Sequence, residues 1–101
     1  MARPIVWSDP AVEDLVEAVE FITKDSRAYA ANLAQLAVDA ADSLVRFPNR
    51  GHQITDPKLS RFRELIVGPY RLVYLVEAKR VLIVGLFHGH RALRRALKGR
   101  A

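Results

Sequence analysis

The chain has no cysteine, one tryptophan and one methionine among its 101 residues. Without cysteine there is no disulfide, no thiolate nucleophile and no thiolate metal ligand, so packing alone must hold the fold together. Long apolar runs are missing too. Stretches such as "VLIVGLF" (Val81–Phe87) fall far short of the roughly 20 residues that cross a bilayer, and "MARPIVWSDP" lacks the apolar core of a signal peptide. The expectation is a cytoplasmic protein with no membrane partner. Repeats, low-complexity tracts and linkers are likewise absent, so residues 1–101 read as a single domain with a basic tail from about residue 90. A domain of this length buries about two thirds of its unfolded surface, enough to fold alone but with a small margin.

Acidic residues are scarce in one half only. Residues 1–47 carry four Lys/Arg against eight Asp/Glu, net −4, while residues 48–101 carry twelve against three, net +9, which together give the +5 of the chain. A basic half suits nucleic acid, an acidic protein partner or a solvated surface.

"RPIVW" (Arg3–Trp7) is β-prone, and Asp9 and Pro10 then provide a helix cap and first turn. Val12, Leu15, Val16, Val19 and Ile22 recur at helical spacing, with Glu13, Asp14, Glu17 and Glu20 read as a solvated face. "KDS" (Lys24–Ser26) breaks this helix and caps a second, on which Ala30, Leu33, Ala34, Ala37, Ala40, Ala41 and Leu44 form the apolar stripe up to Phe47 and Pro48. After a loop around Gly51 and Pro57 come three strand-like runs, "RFRELIV", "YRLVYLV" and "VLIVGLF". Gly68-Pro69 and "EAKR" are short enough to make these hairpins. The expected fold is α+β, in the order βααβββ, with the helical hairpin on one face of a small, mainly antiparallel sheet.

Regular pairing of Val67 with Tyr70 and of Val76 with Val81 puts Leu65, Val67, Tyr70, Leu72, Tyr74, Val76, Val81, Ile83 and Phe87 on the face beneath the helices. The other face then carries Phe62, Glu64, Ile66, Arg71, Val73, Leu75, Leu82, Val84, Leu86 and His88. Two helices cover one face of a small sheet, so an apolar second face implies a groove for another chain.

These pieces, in this order, resemble the RelE/ParE superfamily of toxins from type II toxin–antitoxin systems. The likeness is carried by Trp7, "DLVEAVEFITKDS", "FPNRG", "RELIVGPYRLVYLV" and the closing "LFHGHR". It implies a bacterial toxin neutralised by a cognate antitoxin, ParD-like or similar, whose C-terminal segment wraps around it. Operator DNA would be met only through the antitoxin complex. Ile66, Val73, Leu75, Val84 and Leu86 are the expected antitoxin contacts. The motif "RELIVGPYRLVYLV" with "HGHR" is similar to the ParE branch, whose members poison DNA gyrase by binding and are not enzymes. Arg71, His88, His90, Arg91, Arg94, Arg95 and Lys98 are then the target-facing residues, and no catalytic residue is expected. The RelE branch, a ribosome-dependent and metal-independent messenger endoribonuclease, is the alternative. Under it Arg71 and Arg91 match phosphate-facing arginines, with His88 and Glu64 as further catalytic candidates. Phe62, Glu64 and Leu97 stand where that branch carries lysines and a tyrosine. A diverged, non-toxic member that binds only its antitoxin is a third reading.

Glu64 and Arg71 also sit at a diagonal that long side chains bridge, which suits a structural ion pair. His88 and His90 form an H-x-H pair that His52 could approach, yet no metal site and no cofactor is expected. Tyr70, Tyr74 and Phe87 are read as core aromatics. The tail "HRALRRALKGRA" reads equally as a short basic amphipathic helix or a frayed end, and its cations have no acid among them. Its removal after Arg91 is therefore expected to leave the fold largely intact.

Overall fold

The structure is a computed structural model that describes residues 2–89 and 91–101. His90, one of the expected target-facing residues, lies outside the described residues.

β1 (Ile5–Trp7) leads into α1 (Asp9–Thr23) and α2 (Arg27–Ser43). After them come β2 (His52–Gln53), a 3₁₀ turn (Pro57–Leu59), β3 (Arg63–Val67), β4 (Tyr70–Val76), β5 (Val81–His88) and α3 (Leu93–Ala96). The strands form one mixed sheet in the order β1-β5-β4-β3-β2, with β1 parallel to β5 and the remaining neighbours antiparallel. The βααβββ core is thus present, with the two-residue β2 and the short α3 added. The cap of α1 is Ser8, not Asp9: the Ser8 hydroxyl accepts from the Ala11 N–H at 3.2 Å. Ser26 caps α2 in the same way through the Tyr29 N–H at 3.1 Å.

The helices pack on the expected face, over Leu65, Val67, Tyr70, Leu72, Tyr74, Val81 and Ile83. The stripe of α1 is shifted by a residue from the one its large side chains suggest. Ala11 and Ala18 are buried, with Leu15 and Ile22 packed beside them, whereas Val12 and Val16 are exposed. Small residues at the contact bring the helix close to the sheet, and this outweighs the gain from burying two valines. Asp14 faces inward with this stripe and is not part of a solvated face.

The opposite face is not bare, contrary to expectation. Ile54, Leu59 and Phe62 from the connection before β3, together with Leu93, Ala96 and Leu97 from the tail, seal Val73, Leu75, Leu82, Val84 and Phe87 into a second core. Val73 and Val84 are wholly inaccessible. The tail is therefore a structural layer, held by apolar contacts that the charge-dominated reading of it overlooked.

Regular pairing of β4 with β5 also fails at one point. Tyr74 pairs with Ile83 but Val73 pairs with Gly85, so Val84 is an extra residue, a β-bulge. Beyond it every side chain changes face. Leu86 and His88 join the helix side, and Phe87 moves to the second core, the reverse of the expected placement.

Candidate functional site

The residues singled out in the sequence gather where β4 begins and β5 ends. Register places Arg71 opposite both Ile66 and Phe87, and Tyr70 opposite His88. Arg71 therefore lies on the second-core side of the sheet. Its guanidinium meets Glu64 at 3.4 Å, the ion pair that their diagonal suggested, and donates to the Arg91 carbonyl at 3.0 Å. Its Nε is buried without a hydrogen-bond partner.

Arg71 shares a cleft of about 340 Å³ with Thr55, Asp56, Leu59, Arg91, Leu93 and Arg94. Three guanidiniums thus border one shallow groove. Arg94 is already engaged there: it forms a two-pronged pair with Asp56, NH2 to Oδ1 at 2.9 Å and Nε to Oδ2. These bonds, followed by the Lys58 backbone N–H, hold the Asp56 carboxyl below the ordinary aspartate range, and the Arg94 guanidinium is correspondingly raised. Asp56 is the acid that the tail lacks in its own sequence. Arg91 is exposed, with its guanidinium 5.4 Å from the centre of the Phe87 ring. Arg95 and Lys98 are also exposed.

His88 is on the helix side, apart from Arg71. Its ring meets Tyr70 edge-on at 5.7 Å and borders a second cleft, of about 280 Å³, with Asp14, Glu17, Phe21 and Arg91. Arg91 lines both clefts and bridges the two sides. His52 lies on β2, with β3 and β4 between it and β5. Among the described residues no three His, Cys, Asp or Glu side chains are grouped to hold a metal ion.

Of the expected antitoxin contacts, only Ile66 is open, at 65% exposure, on the part of β3 that the short β2 does not reach. Val73, Leu75 and Val84 lie in the second core, closed by the tail and the connection before β3, and Leu86 lies in the core beneath the helices. An apolar cleft of about 400 Å³ that the strand patterns did not suggest lies close by, lined by Ile22, Tyr29, Leu33, Leu36, Gly68 and Pro69. The exposed Tyr29 and Leu36, off the buried stripe of α2, were the available signal for it.

Sequence reasoning missed two residues at the site, Asp14 and Arg100. Arg100 folds back against Asp14 at 2.5 Å, and Asp14 also accepts the Leu86 N–H at 3.1 Å. Read as a solvated acid and a frayed-tail cation, they gave no local hint of a contact between opposite ends of the chain. The charge asymmetry of the two halves was the one signal available.

Residues 5–93 match the family described as the ParE toxin of the type II toxin–antitoxin system parDE. Toxin RelE2 of Caulobacter vibrioides is 35% identical over 88 residues, covering 86% of this chain and 96% of the relative. The fold is similar to a chain from the chromosomal ParDE system of P. aeruginosa, with TM-score 0.72 and 18% identity over 86% of this chain and 96% of that one. It is also similar to a chain of the RelBE2 toxin–antitoxin complex of Mycobacterium tuberculosis, with TM-score 0.64 and 22% identity over 87% and 99%. The chain belongs to the ParE toxin family, within the RelE/ParE superfamily of type II toxin–antitoxin toxins.

Proposed function

We propose that this toxin acts in the cytoplasm by binding DNA gyrase, without chemistry, and is held inactive by a ParD-like antitoxin through which alone it meets operator DNA. The observation that carries this reading is the separation of the candidate groups. Arg71 and His88 lie on opposite faces of the sheet, and Glu64 is tied to Arg71. An acid–base pair flanking a phosphate requires groups that converge within hydrogen-bond reach of one reacting centre. Tyr74, a further proton-transfer candidate by type, is buried and committed to the Pro48 carbonyl and the Gly51 N–H, each at 2.8 Å. What remains outward is a cationic surface, Arg91, Arg95 and Lys98 with the paired Arg94, suited to an acidic protein surface or to DNA held by the target.

Ile66 and the cleft beside Leu36 and Pro69 supply apolar surface for the antitoxin, whereas Val73, Leu75 and Val84 contribute only if the cover of the second core opens. A specific feature favours the ribonuclease as second reading: Arg71 has a buried, unpartnered Nε in a groove shared with Arg91 and Arg94. Purified toxin added to a gyrase supercoiling reaction and, separately, to a translating extract discriminates the two. Inhibited supercoiling with intact messages supports gyrase binding; cut messages with normal supercoiling overturn it.

A further inference from the structure

The β-bulge at Val84 decides which way His88 and Phe87 point, and the chain spends two distant side chains on it. β1 covers β5 only across Val81–Ile83, and the Ser8 N–H closes that stretch on the Ile83 carbonyl at 3.0 Å. Farther along the same strand, side chains take over the role of a neighbouring strand. The Leu86 N–H donates to Asp14 Oδ2 at 3.1 Å, and the Val84 carbonyl accepts from Arg100 NH1 at 3.0 Å. The two side chains are themselves joined, NH1 to Oδ2 at 2.5 Å and NH2 to Oδ1 at 3.2 Å, at 17% and 9% exposure for Arg100 and Asp14.

Gly85 completes the arrangement. A Cβ there would lie 2.2 Å from the Phe87 ring and 3.1 Å from Arg100 NH1. The ring therefore lies against Gly85, and the Arg100 guanidinium stacks 4.8 Å from the ring centre on its way to Asp14.

We infer that Asp14 and Arg100 are positioning residues that select the bulged register of β5 over the regular one. The competitor is a definite state. With no extra residue, Phe87 would pair with Tyr70 and turn beneath the helices, and His88 would leave its place beside Tyr70. Backbone pairing with β4 does not itself favour the bulge, because Val84 is left without a partner in the ladder. Only the bulged strand presents the Val84 carbonyl and the Leu86 N–H to the Arg100–Asp14 pair. The pair thereby ties α1, β5 and the tail together and sets the orientation of the segment that carries His88 and Arg91. The functional consequence rests on the reading of those two residues as target-facing; the choice of register does not.

The experiment uses the full-length chain, isotopically labelled, and reads the Leu86 amide exchange rate, the His88 ring-proton shifts and the cross-strand contacts of Tyr70. In Asp14→Ala and Arg100→Met, Leu86 is expected to exchange roughly tenfold faster. The His88 ring signals should move from their Tyr70-facing position, and Tyr70–Phe87 cross-strand contacts should appear. Asp14→Asn, which keeps an oxygen to accept the Leu86 N–H, should recover most of the original His88 shifts, a rescue that a general loss of stability does not produce. Folded Asp14→Ala and Arg100→Met chains with unaltered Leu86 exchange and His88 shifts would overturn the inference. Should Asp14→Ala fail to fold, Arg100→Met decides, because its stem still covers Phe87. None of these readouts involves gyrase, so failure here is distinct from failure of the proposed function.

Discussion

The two faces of the sheet are closed by different means. On one, α1 and α2 lie side by side and reach the strands through Ala11, Ala18, Ala37 and Ala41, so that a helical layer rests close to the backbone. On the other, the cover is assembled from pieces, Ile54, Leu59 and Phe62 from a connection and Leu93, Ala96 and Leu97 from the tail. The helical layer carries its own backbone hydrogen bonds and caps. The pieced cover depends on ties between residues far apart in the chain, Arg94 to Asp56 and Arg100 to Asp14. A layer that closes in this way is expected to open in parts, and the second face to be the more labile of the two. The candidate site lies at its rim.

Removal of the tail after Arg91 tests this contrast most severely. The truncation strips Leu93 and Leu97, at 8% and 4% exposure, from the second core. Each fully buried leucine contributes about 1.5–3 kcal/mol, a large share of the about 5–15 kcal/mol that holds a small domain together. We expect a fall in urea midpoint large enough to leave the truncated chain substantially unfolded at 37 °C. A truncated chain with an unchanged midpoint would show that the pieced cover is dispensable. Loss of toxicity in such a truncation is therefore no measure of the tail's charge.

A smaller effect is expected where the two layers meet the loop. Tyr74 lies on the helix side, fully buried, and its hydroxyl fastens the Pro48–Gly51 segment. Gly51 permits this approach, since a Cβ there would come within 2.6 Å of the hydroxyl. Tyr74→Phe leaves a carbonyl and an N–H without their partner and should cost about 1–3 kcal/mol in denaturant unfolding. Burial raises the phenol above its ordinary value of 10.0. A raised folded pKa gives stability that is complete below the unfolded value and is lost as pH rises through the folded one. The native chain should therefore weaken above pH 10, and Tyr74→Phe should lack that component.

Much of this architecture was legible because its determinants are local. Ser26 before an alanine-rich stripe, Pro10 in a first turn and Gly68-Pro69 between two β-rich runs each specify their structure within a few residues. The candidate arginines were legible as types, and the Glu64–Arg71 pair as a diagonal on adjacent strands. The bulge was not, because one surplus residue in "VLIVGLF" leaves the β pattern intact while reversing Leu86, Phe87 and His88. Its causes are Asp14, in a helix that reads as solvated on that side, and Arg100, in a tail that reads as frayed. Nor was the second cover legible. Leu93, Ala96 and Leu97 make one turn of amphipathic pattern, too little to distinguish packing from fraying until the apolar face they cover is in place.

Acid should release the pieced cover by a step that the helical layer lacks. Asp56 is held below its ordinary value of 3.8, chiefly by Arg94. A lowered folded pKa gives stability that is present above the unfolded value and is lost as pH falls through the folded one. The tail should therefore loosen below about pH 3.8, read as faster exchange at Leu93 and Leu97, while α2 amides change less. In Asp56→Asn this acid-induced difference should vanish. The pair is solvent-exposed, so its effect on global stability should be slight. An equal loss of protection in α2 and in the tail would remove the distinction between the two layers.

The smallest stability effect should come from the charges that do no packing. Arg95 and Lys98 are exposed on the outer side of the tail, whereas Leu93, Ala96 and Leu97 face the sheet. Reversing both to glutamate should leave the unfolding free energy within about 0.5 kcal/mol of the native chain's, because neither side chain supports the second core. The change reverses the sign of the surface proposed to face gyrase. Long-range attraction acts mainly on the rate of encounter, so association should slow by roughly tenfold or more at low salt, with the difference narrowing as ionic strength rises. Association kinetics of the double variant at two salt concentrations, beside its unfolding curve, separate the roles of the tail. A folded variant that binds gyrase at the native rate would confine the tail to packing and return the target-facing role to Arg71 and Arg91.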